Sequence, residues 1–266
     1  MMVSNIKRST TKKSLLSGVL ILIFSGYSLG QKPLSCQSLF PRGISLEYGL
    51  GRYSVRDEYI SKEKYEGNLP FLGVNWSRFH EKYAYSLTLE YRNSSKIKNY
   101  NVSADIYQFS LGQEFLYPLA KIPLFKKNLY LSLGPSTDLF FYYNKQNIAY
   151  EGSDYSFSFA ALFSLGVHSE AIYPIGKHFQ AEGFFRLGVL SLGLRTVDME
   201  KGEESLVKLL TLFSGTNTSI RLGIRYLIFD HLSLRLAYKL EMTRIKAWEP
   251  LLSASDNLIL TLLLHF

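Results

Sequence analysis

From Gly43 to Phe266, apolar side chains recur at every second position in ten successive segments. This period constrains the fold more than any other feature of the chain. Successive side chains on a strand point to opposite sides, so alternation at period two marks strands with two unlike faces. The segments are about Gly43–Arg56, Pro70–His80, Tyr83–Arg92, Ser103–Phe115, Asn128–Tyr143, Tyr155–Ala171, His178–Arg195, Ser219–Ile228, Leu232–Arg244 and Asp256–Phe266. In the third, Tyr83, Tyr85, Leu87, Leu89 and Tyr91 oppose Ala84, Ser86, Thr88 and Glu90. In the last, Leu258, Leu260, Leu262, Leu264 and Phe266 share one face, and Ile259, Thr261, Leu263 and His265 share the other.

Strands this apolar must be covered either by a second sheet, as in a soluble sandwich, or by lipid. Connection lengths separate the two. They are long after odd segments and mostly short after even ones, the exception being a link that holds Pro118 and Pro123. A membrane barrel with both termini on one side has that asymmetry, whereas a sandwich has no reason to keep it. The expected fold is all-β: an antiparallel up-and-down transmembrane β-barrel of ten strands. Eight or twelve remain alternatives because Pro118–Asn128 and Thr196–Thr218 read ambiguously.

Composition agrees with lipid as the cover. Beyond residue 30 no apolar run approaches the roughly 20 residues of a membrane-spanning helix. Yet 47% of residues are hydrophobic and 15% aromatic, with 19 Tyr, 18 Phe and 2 Trp. Barrels place such aromatics in girdles at the two interfaces. Residues 1–30 read as a cleaved signal peptide: basic Lys7, Arg8, Lys12 and Lys13, an apolar stretch Leu15–Phe24, and Ser28 and Gly30 at a small-residue cleavage site. That segment carries four of the basic residues and no acidic one, so the net charge of +8 falls to +4 without it and gives little reason to expect nucleic acid. Residues 31–42 form a periplasmic arm and 43–266 the barrel. Cys36 is the only cysteine, so no intrachain disulfide forms. Pro33 and Lys32 before it break a lipidation signal, and an idle thiol is the reading that remains.

The closing segment resembles the C-terminal signal of bacterial outer-membrane barrels, which ends in Phe with apolar residues at every second position before it. That resemblance implies that barrel-assembly machinery reads Leu258, Leu260, Leu262, Leu264 and Phe266. There is also an internal echo: Ser110-Leu111-Gly112 followed by Tyr117-Pro118 recurs as Ser164-Leu165-Gly166 followed by Tyr173-Pro174. Strand pattern, Gly placement and the terminal Phe together resemble the small porin-like outer-membrane barrels of Bacteroidota, including the barrel associated with type IX secretion. The resemblance implies outer-membrane location and says little about activity.

The inward face is expected to carry Glu47, Glu90, Glu114, Glu182 and Glu241 with Arg186, Arg221, Arg225, Arg235 and Lys239. In a narrow barrel these charges must pair or stay wet. Acids dominate the early strands and bases the eighth and ninth, so pairing across the lumen is one outcome and a charge-selective pore the other. Omptin proteases and lipid A deacylases show that such barrels can be enzymes, with His near the outer rim. Here His80, His178, His231 and His265 fall at the short-turn end, and His168 lies inward on the lower half of the sixth strand. The surface acid–base pair of a hydrolase therefore lacks its base. No spacing suits a metal, and no cofactor motif is present.

The longest connection holds Leu206, Val207, Leu209, Leu210, Leu212 and Phe213 at helical spacing, after Glu203 and Glu204 and before Gly215. The spacing predicts a short amphipathic helix. Leu206, Leu209, Leu210 and Phe213 are expected to join Trp248 and Leu251 in one extracellular contact patch. The expected function is non-enzymatic: a barrel with a plugged lumen whose loops serve a structural or interaction role, for example in a secretion or adhesion assembly. A narrow diffusion pore and a barrel-embedded hydrolase are the alternatives. The implied partners are outer-membrane lipid, the assembly machinery and other envelope proteins, with no nucleic acid.

Overall fold

A computed structural model describes residues 43–60, 62–80, 82–99, 102–147, 157–195 and 207–266. The signal peptide at 1–30, the arm at 31–42 with Cys36, and Leu206 lie outside the described residues. No described residue is helical. The strands are β1 (Gly43–Asp57), β2 (Lys64–Asn68), β3 (Phe71–Phe79), β4 (Ala84–Lys98), β5 (Ser103–Leu124) and β6 (Lys127–Asn147). They continue with β7 (Phe157–Pro174), β8 (Phe179–Arg195), β9 (Val207–Thr211), β10 (Gly215–Phe229), β11 (Leu232–Ile245) and β12 (Leu251–His265).

These strands make ten staves of one closed antiparallel ring. β2 and β3 share a stave, because both pair with β1 and both with β4. Pro70 interrupts them, having no N–H for the ladder. β9 and β10 share another, both pairing with β8. The ring closes between β1 and β12, paired from Gly43↔His265 to Asp57↔Leu251. Closure removes both sheet edges.

Two sequence expectations change. The link with Pro118 and Pro123 is strand, not loop: β5 runs to Leu124 and turns through Phe125 and Lys126 into β6. A bulge between Pro118 and Ala120 accommodates the first proline. β4 begins at Ala84 opposite Leu116, so β5 beyond that point has one free side where a missing donor costs nothing. Short turns now follow every even stave. The predicted helix is also absent over the described part, 207–213. Val207–Thr211 instead lies antiparallel on Leu190–Leu194 of β8, which satisfies its backbone groups without a helix. Four leucines in eight residues fit either period, and the neighbouring ladder decides.

Side-chain placement is inverted relative to a soluble domain. Leu46, Leu50, Leu72, Leu222, Leu236 and Leu258 are each more than half exposed. Glu47, Arg92, Arg186 and Lys239 are buried inside the ring. Buried apolar residues gather inside as well, at the end bearing the long loops. There Tyr53, Val55, Tyr65, Leu69, Ile106 and Phe140 belong to one cluster with Tyr142, Leu162, Leu210, Ile245, Trp248 and Leu251.

Candidate functional site: the barrel lumen

The lumen is the site to which the alternation sends every buried charge. Its lower half, nearest the short turns, is crossed by ion pairs. Glu182 of β8 meets Arg225 of β10 at 2.5 Å and Arg235 of β11 at 3.4 Å. Arg235 also bonds Glu47 of β1, which Arg221 reaches at 3.3 Å. The Arg221 guanidinium lies 4.7 Å above the Phe184 ring. Glu114 of β5 takes a hydrogen bond from Ser86 at 2.8 Å and faces His168 Nδ1 at 3.0 Å. Arg186 of β8 spans to Glu114 at 3.7 Å and to Asp138 of β6 at 3.3 Å. Asn217 donates to the other oxygen of Asp138 at 2.6 Å.

At mid-height Lys239 of β11 bonds Glu90 of β4 at 2.6 Å and Glu241 at 2.9 Å. Arg92 of β4 returns the crossing, bonding Glu241 and lying 3.3 Å from Glu90. Both cations sit 5.1 Å from the Phe71 ring, which fills the space between them. Gly112 is needed nearby: a Cβ there would lie 2.8 Å from an Arg186 terminal nitrogen.

The upper half is closed by apolar bulk. Trp248, in the 246–250 loop, turns into the mouth, and Lys208 stands 4.9 Å over its ring while donating to the Ala247 carbonyl at 2.9 Å. Gly193 makes room, since a Cβ would sit 2.6 Å from Leu210 and 3.2 Å from the indole. Polar bonds tie this stopper across the mouth. Gln108 donates to Tyr53 at 2.7 Å and Gln146 to Tyr65 at 2.5 Å. Asp57 of β1 accepts from Arg195 of β8 and Ser158 of β7, with Asp57 and Arg195 almost wholly buried.

All ten charged residues expected to face inward do so, from Glu47 on β1 to Glu241 on β11. Sequence reasoning missed Arg92, Asp138, Asp57 and Arg195. Arg92 shares its face with Glu90 and was legible. Arg195 was not: a register shift opposite Leu165/Gly166 leaves Val189 unpaired and reverses the face parity set by Arg186. Leu258, Leu260, Leu262, Leu264 and Phe266 are exposed on the outer wall. The expected contact patch does not form. Leu209 and Phe213 point outward, whereas Leu210, Trp248 and Leu251 are buried in the stopper. β9 alternation sends neighbours Leu209 and Leu210 to opposite sides of the wall.

Ser86, Glu114 and His168 do not form a nucleophile–base pair, because the Ser86 hydroxyl donates to the carboxylate, not to the imidazole. Among the described residues no three His, Cys, Asp or Glu are grouped to hold a metal ion.

The fold is similar to that of outer membrane protease OmpT from Escherichia coli, at 10% identity over 87% of this chain and 100% of that one, with a TM-score of 0.48. It is similar also to the transport unit of the autotransporter AIDA-I from Escherichia coli, at 11% identity over 94% and 98% of the two chains, TM-score 0.44. A third is the translocator domain of autotransporter NalP from Neisseria meningitidis, at 12% identity over 96% of each chain, TM-score 0.42. No protein-family model and no curated relative matches the chain.

The barrel's own surface gives its location. A closed ring of ten staves, leucine-covered outside, with short turns at one end and long loops at the other, is built for the bacterial outer membrane. By the same rule the short-turn end is periplasmic and the long-loop end extracellular.

Proposed function

We propose that the protein is a non-catalytic outer-membrane barrel with a closed lumen, acting through its extracellular loops and outer wall. One observation carries this reading: the stopper of Tyr53, Phe140, Tyr142, Leu210, Trp248 and Leu251 fills the extracellular half with dry apolar packing. An ion crossing it would shed its water among apolar side chains whose neighbouring charges, Asp57 and Arg195, are already paired with each other. The β1–β12 seam is paired end to end, so that seam offers no lateral opening either. A role in a secretion or adhesion assembly, and kinship with the small porin-like barrels of Bacteroidota, rest on the sequence resemblance.

Planar-bilayer recording of the refolded protein tests the reading. The expected trace has no steady openings; openings whose conductance rises in proportion to salt would overturn it. A narrow pore is favoured by one feature. A cavity of about 80 Å³, lined by Glu114, His168, Glu170, Arg221 and Arg225, lies within the periplasmic half. It would become the lower part of a channel if the stopper withdrew.

A further inference from the structure

The outer wall is taller on one side than on the other. On β11 the outward apolar run goes from Leu232 to Met242, with Arg244 above it. On β12 it goes from Phe266 to Leu258, with Asp256 above it. A strand tilted by about 40° gains about 2.5 Å of height per residue, so these runs cover roughly 20–25 Å, close to the apolar band of a barrel. On β7 and β8 the outward faces hold no charged residue from Tyr173 to Phe157 and from Phe179 to Leu194. Those runs cover roughly 35–40 Å. Their lower ends lie at the short turn 175–178, as those of β10 and β11 lie at 230–231, and Phe179 pairs with Tyr226 at that base. The excess, about 10–15 Å, therefore stands at the extracellular end.

The excess is one continuous surface. Leu139, Phe163, Leu192 and Leu209 are neighbours in register across β6, β7, β8 and β9. Phe141, Ala161, Leu194 and Val207 form the row above. Leu192 is 48% exposed, Leu209 66% and Phe213, in the turn after β9, 80%. Above the hydrocarbon such side chains meet water or the polar sugars of the outer leaflet, and neither covers apolar surface. Sinking this wall would bring as much apolar surface out at the periplasmic end, because the run is longer than the band.

We infer that this wall is the interface of a homodimer, in which a two-fold axis along the membrane normal packs β6–β9 of one copy against β6–β9 of the other. Both copies sit in one bilayer with one orientation, so their tall walls meet at the same height, and like face against like face closes the pair. The two rows and Phe213 present roughly 600 Å² of apolar surface per copy, so a pair buries about 1,200 Å², the size of a small specific interface. A monomer rarely leaves that much open. The far side carries Arg52, Asp256 and Arg244 outward near the same height, and packing it would strip water from them, which fixes the faces that meet. Such a pair forms whether or not the lumen conducts.

Subunit counting by single-molecule photobleaching tests this, with the refolded protein labelled at Cys36 and diluted into lipid bilayers. The parent should bleach in two steps, with a single-step fraction that grows on dilution. Leu192→Lys/Leu209→Lys, which sets four cations at the junction of the two walls, should raise the dissociation constant at least about tenfold. Leu50→Lys, on the far wall beside Arg52, should leave it unchanged. All three positions face outward, and heat-modifiable gel migration reports whether each variant folds. A parent that bleaches in one step at every surface density or in more than two steps, a folded double variant that pairs like the parent, or equal loss with Leu50→Lys would overturn the proposal.

Discussion

The two halves of the lumen are both full, but with different material. The extracellular half holds Tyr, Phe, Leu, Ile and Trp around the buried ion pair Asp57–Arg195. The periplasmic half holds crossed carboxylates and guanidinium groups around a small cavity. Apolar side chains close a channel by excluding water, and they hold by volume and shape. Charged pairs hold opposite staves at set distances, but each must keep its partner, and water can remain beside them. The difference assigns closure to the upper half and bracing to the lower.

Four experiments test that division. The largest effect is expected from Trp248→Ala, which empties the centre of the stopper and should cost about 3–5 kcal/mol in denaturant unfolding from lipid or detergent. It should also produce openings in planar bilayers that the parent lacks; a silent bilayer would mean that the lower half closes the lumen too. Asp57→Ala leaves Arg195 as an unpaired buried charge and should cost nearly as much, about 3–5 kcal/mol, without conductance if the apolar packing persists. At mid-height, a double-mutant cycle of Glu90→Gln with Lys239→Met should return a coupling of about 0.5–3 kcal/mol, since the groups touch. Additive effects would show that the crossing contributes no bracing. Gly112→Ala pushes a Cβ toward Arg186 and should destabilise by about 1–3 kcal/mol, less if that long side chain yields.

Outside the lumen, Phe125 at the β5–β6 turn has φ of 51°, a region that glycine adopts freely and a bulky residue does not. Only the first central residue of that two-residue turn is affected, the position at which a hairpin turn prefers Gly. Phe125→Gly should change stability by less than about 1 kcal/mol, relief of strain being offset by added freedom of the unfolded chain. An unfolding titration that shifts by much more would show that the Phe125 ring is an anchor at the periplasmic interface.

Much of this architecture was legible in the chain. Period two placed Glu47, Glu90 and Lys239 on the inward face and Leu258 to Phe266 on the outward one, because strand geometry leaves a side chain only two directions. Where a local irregularity intervenes, that rule fails. The unpaired Val189 reverses parity and hides Arg195, and β5 continues as strand through two prolines that read as a loop. The Leu206–Phe213 stretch fits a helix as well as a strand by its spacing, and the ladder that β8 offers to Val207–Thr211 decides for that part. Trp248 reads as loop surface, and only the space left by Gly193 draws it inward.

The chain's local pattern set the kind of ring: close to ten staves, which side of most of them meets lipid, and which end bears the short turns. These follow from periodicity and connection length, which are local and one-dimensional. Which acid meets which base, and how apolar side chains fill the extracellular mouth, came only with the closed barrel. Those depend on contacts between distant staves, some joining residues more than a hundred positions apart, as Glu47 with Arg235 and Glu90 with Lys239 do, and no local period carries that distance.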